Sequence, residues 1–102
     1  MEIREVLVLE EAVSDLNNGR LFYEEKQPGL GDHFRNTLLS DLESLVIYGG
    51  IHVKAMGFHR MLSKRFPYAI YYEVKDHGAY VVAVLPMRRD PHWIGGELGE
   101  RS

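Results

Sequence analysis

The stretch from Tyr68 to Met87 constrains this chain most. Tyr68-Ala69-Ile70-Tyr71-Tyr72-Glu73-Val74 and the run from Tyr80 to Met87 are rich in aromatic and β-branched residues, and Lys75-Asp76-His77-Gly78 between them has the composition of a tight turn. Together they read as a β-hairpin, with strands at about residues 67–75 and 79–87. Successive side chains alternate along a strand, so Tyr68, Ile70, Tyr72 and Val74 share one face and Ala69, Tyr71 and Glu73 the other. The first set makes the better core. The second strand is apolar on both sides, with Tyr80, Val82 and Val84 alternating with Val81, Ala83, Leu85 and Met87. Its second face therefore needs cover as well, from the chain's own C-terminal segment or from a partner.

Upstream, residues 3–9 end in Val6-Leu7-Val8-Leu9, too short for a helix, and read as a buried strand. At Glu10 the period changes: Ala12, Leu16, Gly19 and Tyr23 recur at helical spacing to about Lys26, with Glu10 and Glu11 suiting the positive end of the helix. Glycine inside a helix costs about 1 kcal/mol against alanine, so Gly19 is expected at a close crossing. Gln27-Pro28-Gly29-Leu30-Gly31 breaks the chain. Asp32 is then the expected cap of a second helix, with Phe34, Leu38, Leu42 and Leu45 as its apolar stripe and Gly49-Gly50 closing it after Tyr48. A further strand is predicted at about residues 58–65. The order is βααβββ, an α+β two-layer sandwich with a helical hairpin on one face of a small, largely antiparallel sheet. Leu16, Tyr23, Phe34, Leu38, Leu42, Ile70, Tyr72 and Val82 are the predicted core.

A length of 102 residues with 45% hydrophobic side chains suits one domain, residues 1–102, with a sufficient core. No run approaches the roughly 18 apolar residues of a membrane span, and Met1-Glu2-Ile3-Arg4-Glu5 lacks the pattern of a signal peptide. A cytoplasmic protein without a membrane partner is expected. With no cysteine in the chain, disulfides, thiolate metal sites and cysteine nucleophiles are excluded. The formal net charge of -3 runs against the basic balance of most nucleic-acid-binding domains. It is unevenly spread, since residues 54–65 carry Lys54, Arg60, Lys64 and Arg65 and no acid.

Arg60, Lys64, Arg65, Arg88 and Arg89 fall near strand ends that a meander brings together, where arginine forks would hold phosphates or carboxylates; the plainer reading is a solvated rim. His33, His52, His59, His77 and His92 show no metal-ligand spacing, and the paired glycines follow no phosphate-loop pattern, so neither metal nor cofactor is expected. For proton transfer only His59 and His92 lie close in sequence to the cations. Tyr71, Tyr72 and Trp93 are candidate stacking platforms, with core burial the alternative for Tyr72 and docking of the C-terminal tail for Trp93.

The run Arg65-Phe66-Pro67-Tyr68-x-Ile70-x-Tyr72, followed by Arg88-Arg89-Asp90-Pro91 and preceded by two helices, resembles the toxin subunits of bacterial toxin–antitoxin pairs, the RelE/ParE superfamily. The likeness is to the ParE-like branch, of plasmid-stabilisation type. It implies the RelE/ParE fold and the toxin component of a type II toxin–antitoxin (plasmid addiction) system, which binds a cellular target such as DNA gyrase. A cognate antitoxin would neutralise it and cover the sheet; a homodimer is the other way to cover that face. Relatives on the RelE side are ribosome-dependent messenger RNA endonucleases. By their pattern Arg60 fits the second-strand base, and Arg88 or Arg89 fits the arginine after the fourth strand. The third-strand arginine falls at Ala69 and the late tyrosine near Gly95; from the ParE-like side the chain departs as well, since Pro86 stands shortly before the arginine pair, where family members often have a histidine. The resemblance thus implies a binding protein rather than an enzyme, with Arg60, Lys64, Arg65, Tyr71, Arg88, Arg89 and Trp93 meeting target or antitoxin. The alternative is a RelE-type endonuclease on the ribosome, using Arg60, Arg65 and Arg89 with His59 or His92, or a degenerate relative without toxicity.

Overall fold

The computed structural model describes residues 2–102. Its elements are β1 (Glu5–Val8), α1 (Glu10–Lys26), α2 (Leu30–Glu43), α3 (Leu45–Tyr48), β2 (Lys54–Ala55), β3 (Phe58–Leu62), β4 (Tyr68–Lys75), β5 (Gly78–Pro86) and α4 (Pro91–Glu100). One sheet runs in the order β1-β5-β4-β3-β2. β1 pairs parallel with β5, and every other pairing is antiparallel.

The predicted hairpin forms, with Lys75 opposite Gly78. Its two central residues, Asp76 and His77, have φ of 49° and 65°. Positive φ at both positions gives the turn whose twist matches paired strands, at some cost for residues other than glycine. Residues leading into β1 hold it: Arg4 N–H donates to His77 O at 2.7 Å, and the His77 Nδ1 hydrogen bonds to Glu2 O at 3.0 Å. Met56 and Gly57 make a similar turn between β2 and β3, with φ of 56° and 86°.

The helical hairpin closes the face carrying Tyr68, Ile70 and Tyr72, as predicted. Ala12, Phe34, Leu38, Leu42 and Leu45 are buried there, with Leu16 and Tyr23 half-buried against them. The Phe34 ring meets Tyr23, Tyr68 and Phe66 with centroids 5.2, 4.8 and 5.1 Å apart. Gly19 sits at the expected crossing: a Cβ there would lie 2.5 Å from Phe34 Cζ.

Several expectations are corrected. β1 is an edge strand and only half-buried, because none of the described residues pairs with its outer side. α2 begins at Leu30, two residues before Asp32, which makes no capping hydrogen bond. The Glu24 carboxylate of α1 reaches across instead and accepts from Gly29 N–H and Gly31 N–H at 3.0–3.1 Å. That helix ends at Glu43, and the turn at Ser44 starts the separate α3. β3 stops at Leu62 rather than 65, where Ser63 Oγ turns to donate to Asp41 Oδ2 at 2.6 Å. β2 was not foreseen. In β5 a bulge sets Tyr71 opposite Ala83 but Tyr72 opposite Val81, leaving Val82 without a partner. Past the bulge the alternation changes phase, so Val81 joins the helical-hairpin core and Val82, predicted for that core, is buried on the opposite face.

Of the two covers expected for the opposite face, the C-terminal segment is the one used. That face is closed by the chain itself: α4 lays Ile94 and Leu98 over Phe58, Ala69, Tyr71, Val82, Ala83 and Leu85, with Trp93 half-buried beside them. The sheet therefore carries helices on both faces. The need for a partner or second copy to cover its β-layer disappears.

Candidate functional site

β5 outruns β1. Its ladder to β1 ends at Val81, and beyond that point α1 crosses the open edge. An unpaired buried backbone group is costly, and two side chains substitute for the missing strand. Asp15 Oδ2 accepts from Val84 N–H at 2.9 Å, and Arg101 Nη1 donates to Val82 O at 3.1 Å. The same two groups form a bidentate pair, at 2.5 Å from Nη1 to Oδ2 and 3.0 Å from Nη2 to Oδ1. Glu97 accepts from Arg101 Nη2 at 3.0 Å and Glu11 lies 3.6 Å from its Nε. The Asp15 hydrogen bond outweighs burial and raises the Arg101 pKa, so the guanidinium stays charged. Asp90 caps α4 by accepting from Trp93 N–H at 3.0 Å, and Pro91 takes the first helical turn, where its missing N–H is harmless.

Between α1, the end of β5 and α4 lies a cleft of about 510 Å³, lined among others by Asn18, Phe22, Tyr68, Arg88, Arg89, Trp93 and Arg101. Arg88 seats its guanidinium 4.3 Å over Phe22, a ring that Lys26 Nζ also approaches at 4.6 Å. Arg89 lies 3.9 Å over Trp93. Burial raises the Tyr68 phenol, Tyr23 adds to it, and Arg88 opposes it.

The remaining candidates do not converge on this cleft. Lys64 and Arg65 line a separate groove of about 360 Å³ with Asn36, Thr37, Ser40 and Asp41 on the α2 side. Arg60, opposite Tyr71 in the ladder, donates from Nε to the Tyr71 hydroxyl at 3.3 Å. Tyr71 itself is 3% exposed, so its ring is packed away and offers no stacking platform. Tyr72 is fully buried. His59 sits on the other face of β3 from Arg60, stacked on Tyr72 with its Nδ1 on His52 O at 2.6 Å. His92 is exposed in the first turn of α4. The cations are thus dispersed, with Arg88 and Arg89 in one groove, Lys64 and Arg65 in another and Arg60 in neither. Among the described residues no group of His, Asp or Glu is placed to hold a metal.

The chain matches no known protein family's model, and no curated protein matches it. Among solved structures, a chain of the chromosomal ParDE toxin–antitoxin system from P. aeruginosa superposes with a TM-score of 0.74 at 14% identity, covering 84% of this chain and 98% of that one. The chain has the RelE/ParE-like fold. At that identity the likeness is one of backbone. Of the two positions vacant in the nuclease pattern, Ala69 is 1% exposed beneath α4, whereas Gly95 is half-buried near Met56.

Two features were missed. α4 announces itself through Asp90-Pro91 and the Ile94/Leu98 spacing, a helix-start signal that the Arg-Arg-Asp-Pro resemblance masked. His52 was legible only as a residue type. Its Nδ1 lies 2.5 Å from the Tyr72 hydroxyl, which also accepts from Gly50 N–H, and burial together with neighbouring His59 lowers its pKa.

Proposed function

We propose that this chain is the toxin component of a type II toxin–antitoxin pair, ParE-like in action, which binds a cytoplasmic target such as DNA gyrase and is neutralised by a cognate antitoxin. The observation that carries this reading is the backbone match over 98% of a chain from a ParDE system. Two features of the surface support it. One proton-transfer candidate, His59, is packed on Tyr72 on the opposite face of β3 from Arg60, which favours binding over phosphodiester cleavage, a reaction that needs charge stabilisation and proton transfer at one point. Exposed apolar residues also collect on α3 and the segment after it, with Ile47, Ile51 and Val53 exposed by 77%, 72% and 80%. Such a patch suits a protein partner.

Inducible expression, with and without the product of the neighbouring gene, tests the reading. The expected result is growth arrest relieved by co-expression, inhibited gyrase supercoiling, and intact messenger RNA in a translating extract. Messenger RNA cleavage that disappears in Arg60→Ala, Arg65→Ala or Arg89→Ala with the fold kept would establish the nuclease instead. Absence of both arrest and a binding partner would mark a non-toxic relative.

A further inference from the structure

The cleft beside α4 holds two guanidiniums whose positions are set and whose charges are unspent. Among the described residues neither Arg88 nor Arg89 has a carboxylate within ion-pair distance, in contrast to Arg101, which takes three. Each is instead seated on an aromatic face, Arg88 on Phe22 at 4.3 Å and Arg89 on Trp93 at 3.9 Å. Stacking of this kind occupies a guanidinium's face and leaves its N–H edge for a planar bidentate partner, and it reduces the entropy lost on binding. We propose that the cleft is a binding site for an acidic peptide segment, with an Asp or Glu side chain held by Arg88 and Arg89 and a neighbouring apolar side chain against Trp93.

The dimensions and charge favour a peptide over a nucleic acid. A cavity of about 510 Å³ admits a few side chains. A polyphosphate is gripped by an extended row of cations, but here Lys64 and Arg65 belong to another groove, and Glu11 and Glu97, paired with Arg101, line the same cleft. One carboxylate matches the two guanidiniums that lack an acidic partner, whereas a run of phosphates would also meet those acids. The inference deepens the proposed function and rests on it only in assigning the segment to the antitoxin; the cleft's preference for acidic peptide stands on the geometry.

Two measurements separate these claims. The full-length protein is titrated with acetyl-Leu-Glu-Glu-Phe-amide, its Gln-Gln analogue and hexauridylate, read by the fluorescence and indole N–H resonance of its single tryptophan. The expected result is a saturable change with the Glu peptide, at least about tenfold weaker with the Gln peptide and weakened further by about 0.5 M salt. Arg88→Gln and Arg89→Gln, checked for fold by circular dichroism, should each weaken it by a similar factor, and Lys64→Gln should not. No saturable change, equal binding of the two peptides, or tighter binding of hexauridylate overturns the proposal on the native protein, whatever becomes of the variants. In the second measurement the same variants are assayed for neutralisation by the partner. If they are neutralised as tightly as the native chain, the antitoxin assignment fails while the toxin reading survives; if nothing arrests growth, the toxin reading fails while the peptide preference stands.

Discussion

The two faces of the sheet are closed by different physics. On the helical-hairpin side, Phe34, Leu38, Leu45, Ile70 and Tyr72 are fully buried, and the layer is apolar contact almost throughout. On the other side a helix of 10 residues contributes Ile94 and Leu98 and is tied down at its end by the Arg101–Asp15 pair. A helix that short does not persist alone; about 12 to 15 residues is marginal even in good sequences. The first face is a core in the usual sense and the second is a latched cover. Damage to the first should take the whole fold with it, whereas damage to the second should open one segment.

The largest effect is expected from Leu38→Ala or Ile70→Ala, a cavity penalty of about 2 to 5 kcal/mol read as a lower urea midpoint. On a domain of this size either change can abolish folding. A loss below about 1 kcal/mol would mean the first face repacks freely, and the comparison would fail. Next comes Arg101→Gln, which strips Asp15 of its guanidinium while leaving it Val84 N–H. A cost of about 1.5 to 3 kcal/mol fits a hydrogen bond to a charged group. Amide exchange should accelerate in residues 93–98 before it does in α2; equal acceleration in both would show that α4 is no separate unit. Gly19→Ala probes the first face from the backbone. Helix propensity favours the change by about 1 kcal/mol, but the new Cβ meets the Phe34 ring at 2.5 and 2.6 Å. Overpacking of about 1 to 3 kcal/mol then leaves a small net loss.

The smallest effect concerns pH. Burial, with His59 adding, lowers His52 below its ordinary 6.5. The unfolded chain therefore binds this proton more readily than the folded one. The stability contributed by neutral His52 is present above about pH 6.5 and is lost as pH falls from there through the lower, folded-state value. Urea midpoints at successive pH values should show the decline, and His52→Gln should flatten it. An unchanged slope in that variant would locate the titration elsewhere. The result bears on the comparison because the His52–Tyr72 hydrogen bond is a polar seam at the margin of the apolar face.

The elements that local chemistry specifies were legible. α1 runs over Glu10–Lys26 as its spacing predicts, and the 75–78 turn with the Tyr68, Ile70, Tyr72 face follows from composition and alternation. What was illegible depends on groups distant in sequence. Glu24 caps the neighbouring helix in place of Asp32, because the hairpin brings its carboxylate to two free N–H groups. The bulge at Val82 is set by register against β4, and no period in β5 alone reveals it. The candidate site was half legible. Arg88, Arg89 and Trp93 were named from the sequence and do line one cleft, but Phe22, Asp15 and Arg101 were not. His59 and Arg60 diverge because a strand turns adjacent residues to opposite faces, and Lys64 and Arg65 lie beyond the end of β3 at Leu62, in a groove of their own.

By itself the sequence determined the hairpin, the two long helices and the residues that meet on the first face, since a repeat of two or of 3.6 is written locally and apolar burial enforces it. Only the tertiary structure decided which strand lies at the edge, where β5 outruns its partner, and that Asp15 and Arg101, 86 residues apart, would close that gap. Backbone groups left unpaired by the topology must be satisfied by whatever the fold brings near, and that neighbour is not recorded in any local pattern.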